Sequence, residues 1–344
     1  MNFFEVKIPM DIDILHQLAG LAAVAGREKM QADLIRRLIS PYTDETRTDR
    51  LGSVIARERS KNVTGPRIVF EAPMPSPGYL ARDFRENGLI CLSPLGHVDR
   101  AASLYSRIVF SGGAKGIIVP DSEDENAVAA DVGTIDAESA EYAVRLGEWA
   151  VYGPFVTELS GGYMAGWPLS AASACAAVIE TAKKLSQPEC DVWFVFSAQR
   201  MNGGSRGASA AMYDLGEDGD VDYAVEINCA PELRDPKRSG GGSAVCGFGP
   251  CVKLKDGRSV CDPDFARRIQ DIAGAAGIKH QLYIGGDSPS DILAMQTAGL
   301  GTRAGGIIIP VRNPGRPAEI VSRSDIESAS KIAAELVKTL GSEE

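Results

Sequence analysis

The stretch from Trp193 to Ala208, WFVFSAQRMNGGSRGA, brings a serine, two arginines and a run of glycines to the end of an apolar segment. Within it, Gly203-Gly204-Ser205-Arg206-Gly207 spells G-x-S-x-G after a strand-like run and before the helix-like ASAAMYDL. That is the context of a nucleophile elbow, in which glycines permit a strained turn that exposes the serine hydroxyl. With Glu226 or Asp222 as acid and His280 as base, the order serine, acid, histidine matches an α/β-hydrolase triad. Cys229 is a second candidate nucleophile. The competing reading is a structural glycine loop that holds a serine only because it is small, since a five-residue pattern arises often by chance.

Other chemistry is bounded by residue counts. The three histidines are His16, His97 and His280, so a site needing two imidazoles must draw on these. The seven cysteines, Cys91, Cys175, Cys190, Cys229, Cys246, Cys251 and Cys261, form no C-x-x-C pair, which fits reduced core thiols rather than a disulfide framework or a zinc knuckle. The glycine-rich SGGGSAVCGFG lacks the G-K-[ST] ending of a phosphate loop and the G-x-G-x-x-G of a dinucleotide site, so no cofactor is expected. In Gly285-Gly286-Asp287-Ser288-Pro289-Ser290-Asp291, Asp287 or Ser290 reads as a helix cap.

A net charge of −10 gives no basic face for nucleic acid, and neither a secretion signal nor an apolar run of membrane-spanning length is present. The expectation is a cytoplasmic protein with no nucleic-acid and no membrane partner. Hydrophobic residues at 44% and charged residues at 24% are those of an ordinary folded chain.

The elements that would carry these residues follow from periodicity. Helices are predicted over Asp11–Ala25 and Glu28–Ser40, then a hairpin turning near Leu51-Gly52 and the buried strand PRIVFEA. From PMPSPG the texture changes to short strands with many turns, including WAVYGPFV and one helix over Asp136–Leu146. Residues 74–163 read as an inserted β-barrel-like domain and residues 1–73 with 164–344 as a discontinuous α/β domain. In the latter, helices are predicted over Ser170–Leu185, Asp264–Ala276, Ser290–Ala298 and Asp325–Leu340, alternating with strands WFVFS, DYAVEINCA, QLYIG and GIIIP. The fold class is α/β, a mixed sheet covered by helices on both faces.

This order of parts resembles the glutamyl-aminopeptidase or tetrahedral-aminopeptidase family, from LAGLAAVAGREKMQADLIRRL and TDRLGSVIA to GIIIPVRNPGRPAEIVSRSDIESA. The resemblance implies dinuclear-metal exopeptidase chemistry on an α/β domain interrupted by an oligomerising barrel. It also implies metal ligands at particular positions, where this chain has other residues. The His-Met-Asp segment is Pro73-Met74-Pro75, the bridging aspartate falls on Ser170 or Ala171, and the paired glutamates are Arg200-Met201. The next aspartate falls within AVEINC, with Asn228 the best match, and the last histidine on or near Gly315. Proline, methionine and glycine cannot replace carboxylate or imidazole ligands, and arginine brings a permanent positive charge.

The expectation is therefore an aminopeptidase-fold protein without a metal site, serving in binding or assembly, as a homo-oligomer or a partner of an active relative. Arg200, Arg206, Asn228, Asp291 and Arg312, together with Glu226 and Cys229, are expected to converge at the carboxyl ends of the strands. There the arginines would suit a small acidic molecule or peptide. The alternatives are a hydrolase or acyl-transfer enzyme using Ser205 or Cys229, and an atypical metallo-aminopeptidase.

Overall fold

The computed structural model describes residues 12–62, 65–201, 204–233, 244–286 and 290–342. Helices α1 (Ile12–Gly20) and α2 (Lys29–Ile39) open the chain; α2 turns Leu34, Ile35 and Ile39 inward and Arg36 and Arg37 to solvent, the apolar stripe its sequence announces. Strands β1 (Glu45–Thr48) and β2 (Val54–Glu58) pair as the expected hairpin, its turn held by the Asp49 carboxylate, which accepts from the N–H groups of Leu51 and Ser53. β3 (Arg67–Pro73) follows.

The next strands are β4 (Gly78–Phe84), β5 (Ile90–Leu95), β6 (Arg107–Phe110), β7 (Lys115–Pro120), β8 (Val128–Asp131) and β9 (Trp149–Tyr152). Helix α3 (Arg100–Ser103) lies between β5 and β6, and α4 (Ala137–Ala143) between β8 and β9. The six strands close a barrel in the order β4-β5-β8-β7-β6-β9, filled by Tyr79, Ile90, Ile108, Phe110, Ile118 and Tyr152. Closure removes the free edges that short strands would otherwise expose.

The segment WAVYGPFV, predicted as one strand, divides at Gly153-Pro154 into β9 in the barrel and β10 (Phe155–Glu158) outside it. Proline cannot donate to a ladder, and the strand changes sheets where it stands. β10 pairs with β11 (Tyr163–Trp167), which pairs with β17 (Glu319–Ser322), a strand the sequence reading did not anticipate.

The rest alternates helix and strand: α5 (Leu169–Lys184), β12 (Asp191–Ser197), α6 (Arg206–Glu217), β13 (Tyr223–Pro231), β14 (Cys251–Lys255), α7 (Pro263–Ala275), β15 (Gln281–Ile284), α8 (Ile292–Gln296), β16 (Arg303–Val311), then β17 and α9 (Arg323–Gly341). The main sheet runs β1-β2-β12-β3-β13-β16-β14-β15, with β12, β3, β13 and β16 mutually parallel and β14 antiparallel to β16. It is mixed, as expected. Adjacent glycines of β16 show that both faces are covered: a side chain at Gly305 would meet Phe265 and Ile269 of α7, and one at Gly306 would meet Ile292 of α8 and Lys253.

Candidate functional site

Strands buried on both faces normally read as unbroken apolar runs. Three strands of this sheet break that rule in one row. Register places Glu71 of β3 beside Glu226 of β13, Glu226 beside Gly306 of β16, and Gly306 beside Lys253 of β14, so the charged side chains share one face. Gly306 leaves the space that the Lys253 stem fills.

Beyond β12 the chain turns at Gln199, whose φ of 56° is unusual for a residue with a side chain. Its backbone N–H donates to Glu28 Oε1 at 2.7 Å and its side-chain amide to the carbonyl of Leu51, which together fix the turn. Arg200 is thereby carried back over the sheet with its side chain only 10% exposed, its Nη2 lying 3.6 Å from Glu226 and its Nε 3.6 Å from Asp291. Lys253 Nζ stands 3.3 Å from Glu226 and 2.6 Å from Asp256. Glu226 Oε1 also accepts from the Asn228 amide and the Asp291 backbone N–H, both at 2.9 Å. Ser197 Oγ donates to Glu71 Oε1 at 2.6 Å.

The charges set each other's protonation. Burial raises the Glu71 carboxyl well above the ordinary range, and the neighbouring Asp291 and Glu226 push it further. Burial also acts on Glu226, but Lys253 and Arg200 outweigh it and hold that carboxyl below its ordinary value. Burial would lower Arg200 and Lys253, yet the surrounding carboxylates keep both raised and hence charged.

A second buried carboxylate organises the neighbouring loops. Glu319 Oε2 accepts from the N–H groups of Leu169 and Ser170 at 2.8 and 2.7 Å, while Oε1 accepts from Ser170 Oγ and the Gly315 N–H, both at 2.8 Å. These four donors tie the start of α5 to the loop after β16. Gly315 in turn lies against the His97 carbonyl of the loop following β5, where a β-carbon would come within 3.2 Å. Met201 lies against Gly96 of that same loop.

Between the barrel and the main sheet a cleft of about 480 Å³ is lined by His97, Asp99, Glu232, Arg312, Asn313 and Arg316, among others. Arg312 pairs with Glu232 at 3.0 Å and stacks over Tyr163, its guanidinium carbon 4.8 Å from the ring centre; Arg316 pairs with Asp99 at 2.9 Å. Cation and anion alternate along this wall.

The hydrogen bonds described for the triad candidates run to other partners. Ser205 Oγ donates to the Ser290 carbonyl at 3.5 Å, the His280 ring engages the Ile278 carbonyl at 3.0 Å, and Asp222 accepts from the Arg67 N–H. Glu226, the other candidate acid, belongs to the buried charged row. The last glycine of the motif has a packing cause, since a β-carbon on Gly207 would fall 2.3 Å from the Ala198 carbonyl oxygen. Gly203 and Asp287 lie outside the described residues.

Cys229 points to the opposite face from Glu226 and Asn228 by strand alternation, and its thiol donates to the Ser170 carbonyl at 3.2 Å. Burial raises that thiol well above its ordinary value, which opposes nucleophilic reactivity. The convergence expected of the arginines is likewise corrected. Arg200, Glu226, Asn228 and Asp291 do meet, but Arg206 is exposed at the start of α6, bonding Gln199 and the Met201 carbonyl, and Arg312 lies in the cleft. The Arg200 guanidinium faces the carboxylates of Glu226 and Asp291.

Sequence reasoning passed over Glu71, Lys253, Asp256 and Glu319. The first two carried a readable signal, a single charge inside an apolar strand, in RIVFEA and CVKLK.

With this architecture in view, the chain's relatives can be placed. The sequence profile of the M42 glutamyl aminopeptidases matches residues 52–332. The chain belongs to that family. A putative aminopeptidase of Acetivibrio thermocellus is 30% identical over 94% of this chain and 98% of its own length. Among solved structures, an aminopeptidase from the archaeon Desulfurococcus kamchatkensis superposes with a TM-score of 0.88 at 24% identity, covering 95% of this chain and 94% of that one. The TET1 peptidase of Pyrococcus horikoshii, described as assembling into a tetrahedron or a large octahedral shell, superposes at 0.81 with 22% identity over 95% and 98% of the two chains. The M42 fold is thus common to chains of low identity, and within it this member carries Arg200 and Lys253 inside its carboxylate row. Among its described residues, no helix is long and apolar enough to cross a membrane.

Proposed function

We propose that this M42-family chain does not run dinuclear-metal hydrolysis and serves as a binding or assembly protein, either alone as a homo-oligomer or beside an active relative. The observation that carries the reading is Arg200, a permanent cation held 3.6 Å from both Glu226 and Asp291. The donor set around it supports the same reading. At the positions where the family resemblance implies ligands stand Pro73, Ser170, Arg200, Met201, Asn228 and Gly315, and the nearby Glu319 carboxylate is already engaged by four donors. Two metal ions do not fit such a set.

Residues 74–163 are read as the inserted unit through which copies associate. Ile135 and Tyr142, 83% and 95% exposed, stand near α4 and give it apolar surface for the purpose. The acidic small molecule or peptide is assigned to the cleft of His97, Arg312 and Arg316, where it would compete with Glu232 and Asp99. The seven unbridged cysteines support a reducing cytoplasmic setting.

A second reading is an atypical metallo-aminopeptidase. It is favoured by the grouping of Glu71, Glu226 and Asp291, whose oxygens lie within 4.8 Å of one another, and opposed by the two cations that already face them. The experiment separating the readings is hydrolysis of a panel of aminoacyl-p-nitroanilides with added zinc or cobalt. Our reading expects no turnover above the blank, and metal-dependent turnover would establish the second.

A further inference from the structure

The first residues of β13 and β16 carry polar chemistry that neither the cleft nor the charged row uses. Tyr223 and Arg303 open these parallel strands and stand side by side in their register. A side chain at Gly305 would meet α7, so Arg303, two residues earlier on β16, faces the same helix, and Tyr223 shares that face as its neighbour. Arg268, on α7 one turn after Phe265, completes the group. The cleft residues Pro231 and Val311 pair at the far end of the same two strands, about 26 Å away at a rise of about 3.3 Å per residue.

The Tyr223 phenol oxygen accepts from Arg268 Nη1 at 3.4 Å and from Arg303 Nη1 at 3.5 Å, and both guanidinium carbons lie 5.9 Å from the ring centre. The ring itself is set against Phe265, with 4.9 Å between centres. Arginine only donates, so the phenol's own hydrogen points away from both cations and is left to donate to a third group. Both separations exceed the 2.7–2.9 Å of a charge-assisted hydrogen bond, as expected when the acceptor is neutral. Two cations that meet at a neutral oxygen repel each other, and an anion placed between them reverses the sign of that interaction. The adjacent Asp222 carboxylate accepts from the Arg67 N–H, and among the described residues Arg303 pairs with no carboxylate.

We propose that Tyr223, Arg268 and Arg303 form a binding site for a phosphate group at the end of the sheet remote from the cleft. Two guanidinium forks and one O–H offer donors from three sides, which suits a tetrahedral anion better than a planar carboxylate. The exposed Arg303 leaves the site open to solvent. The phosphate is either the free ion or a monoester on a small molecule. The site is independent of whether the chain hydrolyses peptides.

The test titrates the full chain calorimetrically with inorganic phosphate and, separately, with phenyl phosphate. Wild type is expected to bind one equivalent and R303A to bind at least about tenfold more weakly. Y223F, which keeps the ring against Phe265 and removes only the O–H, falls between them. R303K, which keeps the charge but not the fork, recovers part of the affinity, a result that misfolding of R303A would not produce. Tighter binding of phenyl phosphate would identify an organic monoester as the source, and tighter binding of inorganic phosphate the free ion. The proposal is overturned if wild type binds neither probe, or if R303A with native circular dichroism binds as tightly as wild type.

Discussion

At the scale of single residues, the chemistry that sequence spacing suggested and the chemistry that burial produced are different. Ser205 with Gly203 and Gly207 reads as an elbow, but the Ala198 carbonyl beside Gly207 and the His280 ring's bond to Ile278 have nothing to do with nucleophilic attack. A fluorophosphonate and iodoacetamide are accordingly expected to leave Ser205 and Cys229 unlabelled in the folded protein. Stoichiometric adducts on either, read by peptide mass spectrometry, would contradict that. Arg200 stands out in the sequence because the family resemblance implies a glutamate at its place in the chain. Its partners do not, because a sequence does not state strand register: Glu71, Glu226 and Lys253 become neighbours only once β3, β13, β16 and β14 are aligned. Removing Lys253 tests how strongly the row holds itself together. K253M leaves Glu226 and Asp256 without their shared cation, and the expected loss of stability in urea is about 3–5 kcal/mol, the cost of breaking a buried pair from one side. A loss below about 1 kcal/mol would show that these charges are not coupled through it.

At the scale of elements, most helices and strands were legible from apolar periodicity, as with the stripe of α2 and the strand PRIVFEA. Those that were missed depend on partners remote in the chain. β17 is four residues long and exists because β11 lies beside it, and WAVYGPFV divides because its halves find different sheets. The Glu319 carboxylate at the head of β17 joins α5 to the loop after β16, so E319A strands three backbone N–H donors. Each stranded group costs roughly 1–3 kcal/mol, and the variant is expected to unfold several degrees earlier while E319Q, which keeps one of the two acceptor oxygens, loses less. Equal losses for the two would mean that packing rather than acceptance matters. At the other edge, Asp191 links Arg57, Arg67 and the Trp193 indole. Burial raises its carboxyl, but those donors outweigh burial and hold it below the ordinary value. Its stabilising contribution is therefore complete above the unfolded pKa of about 3.9 and is lost as pH falls through the lower folded value. D191N should be less stable than wild type near neutrality, with the gap closing in acid; a gap independent of pH would contradict the linkage.

At the scale of the whole molecule, the mixed sheet between helices and the barrel were both legible, since the texture changes after Ala72, where β3 ends and the barrel strands begin; the chain re-enters the main sheet only at β12. The proposed association of copies is tested at this scale. Light scattering is expected to give a symmetric oligomer, which the pair I135D/Y142D shifts toward monomer without unfolding it; a monomeric wild type would contradict the proposed association. The central claim, however, is that an M42 fold here holds protein cations where metal chemistry would need ligands. The most direct measurement is the metal content of protein purified without chelators and then dialysed against zinc or cobalt. The account predicts well under one equivalent per chain retained after buffer exchange, and about two equivalents retained with stoichiometric tightness would contradict it.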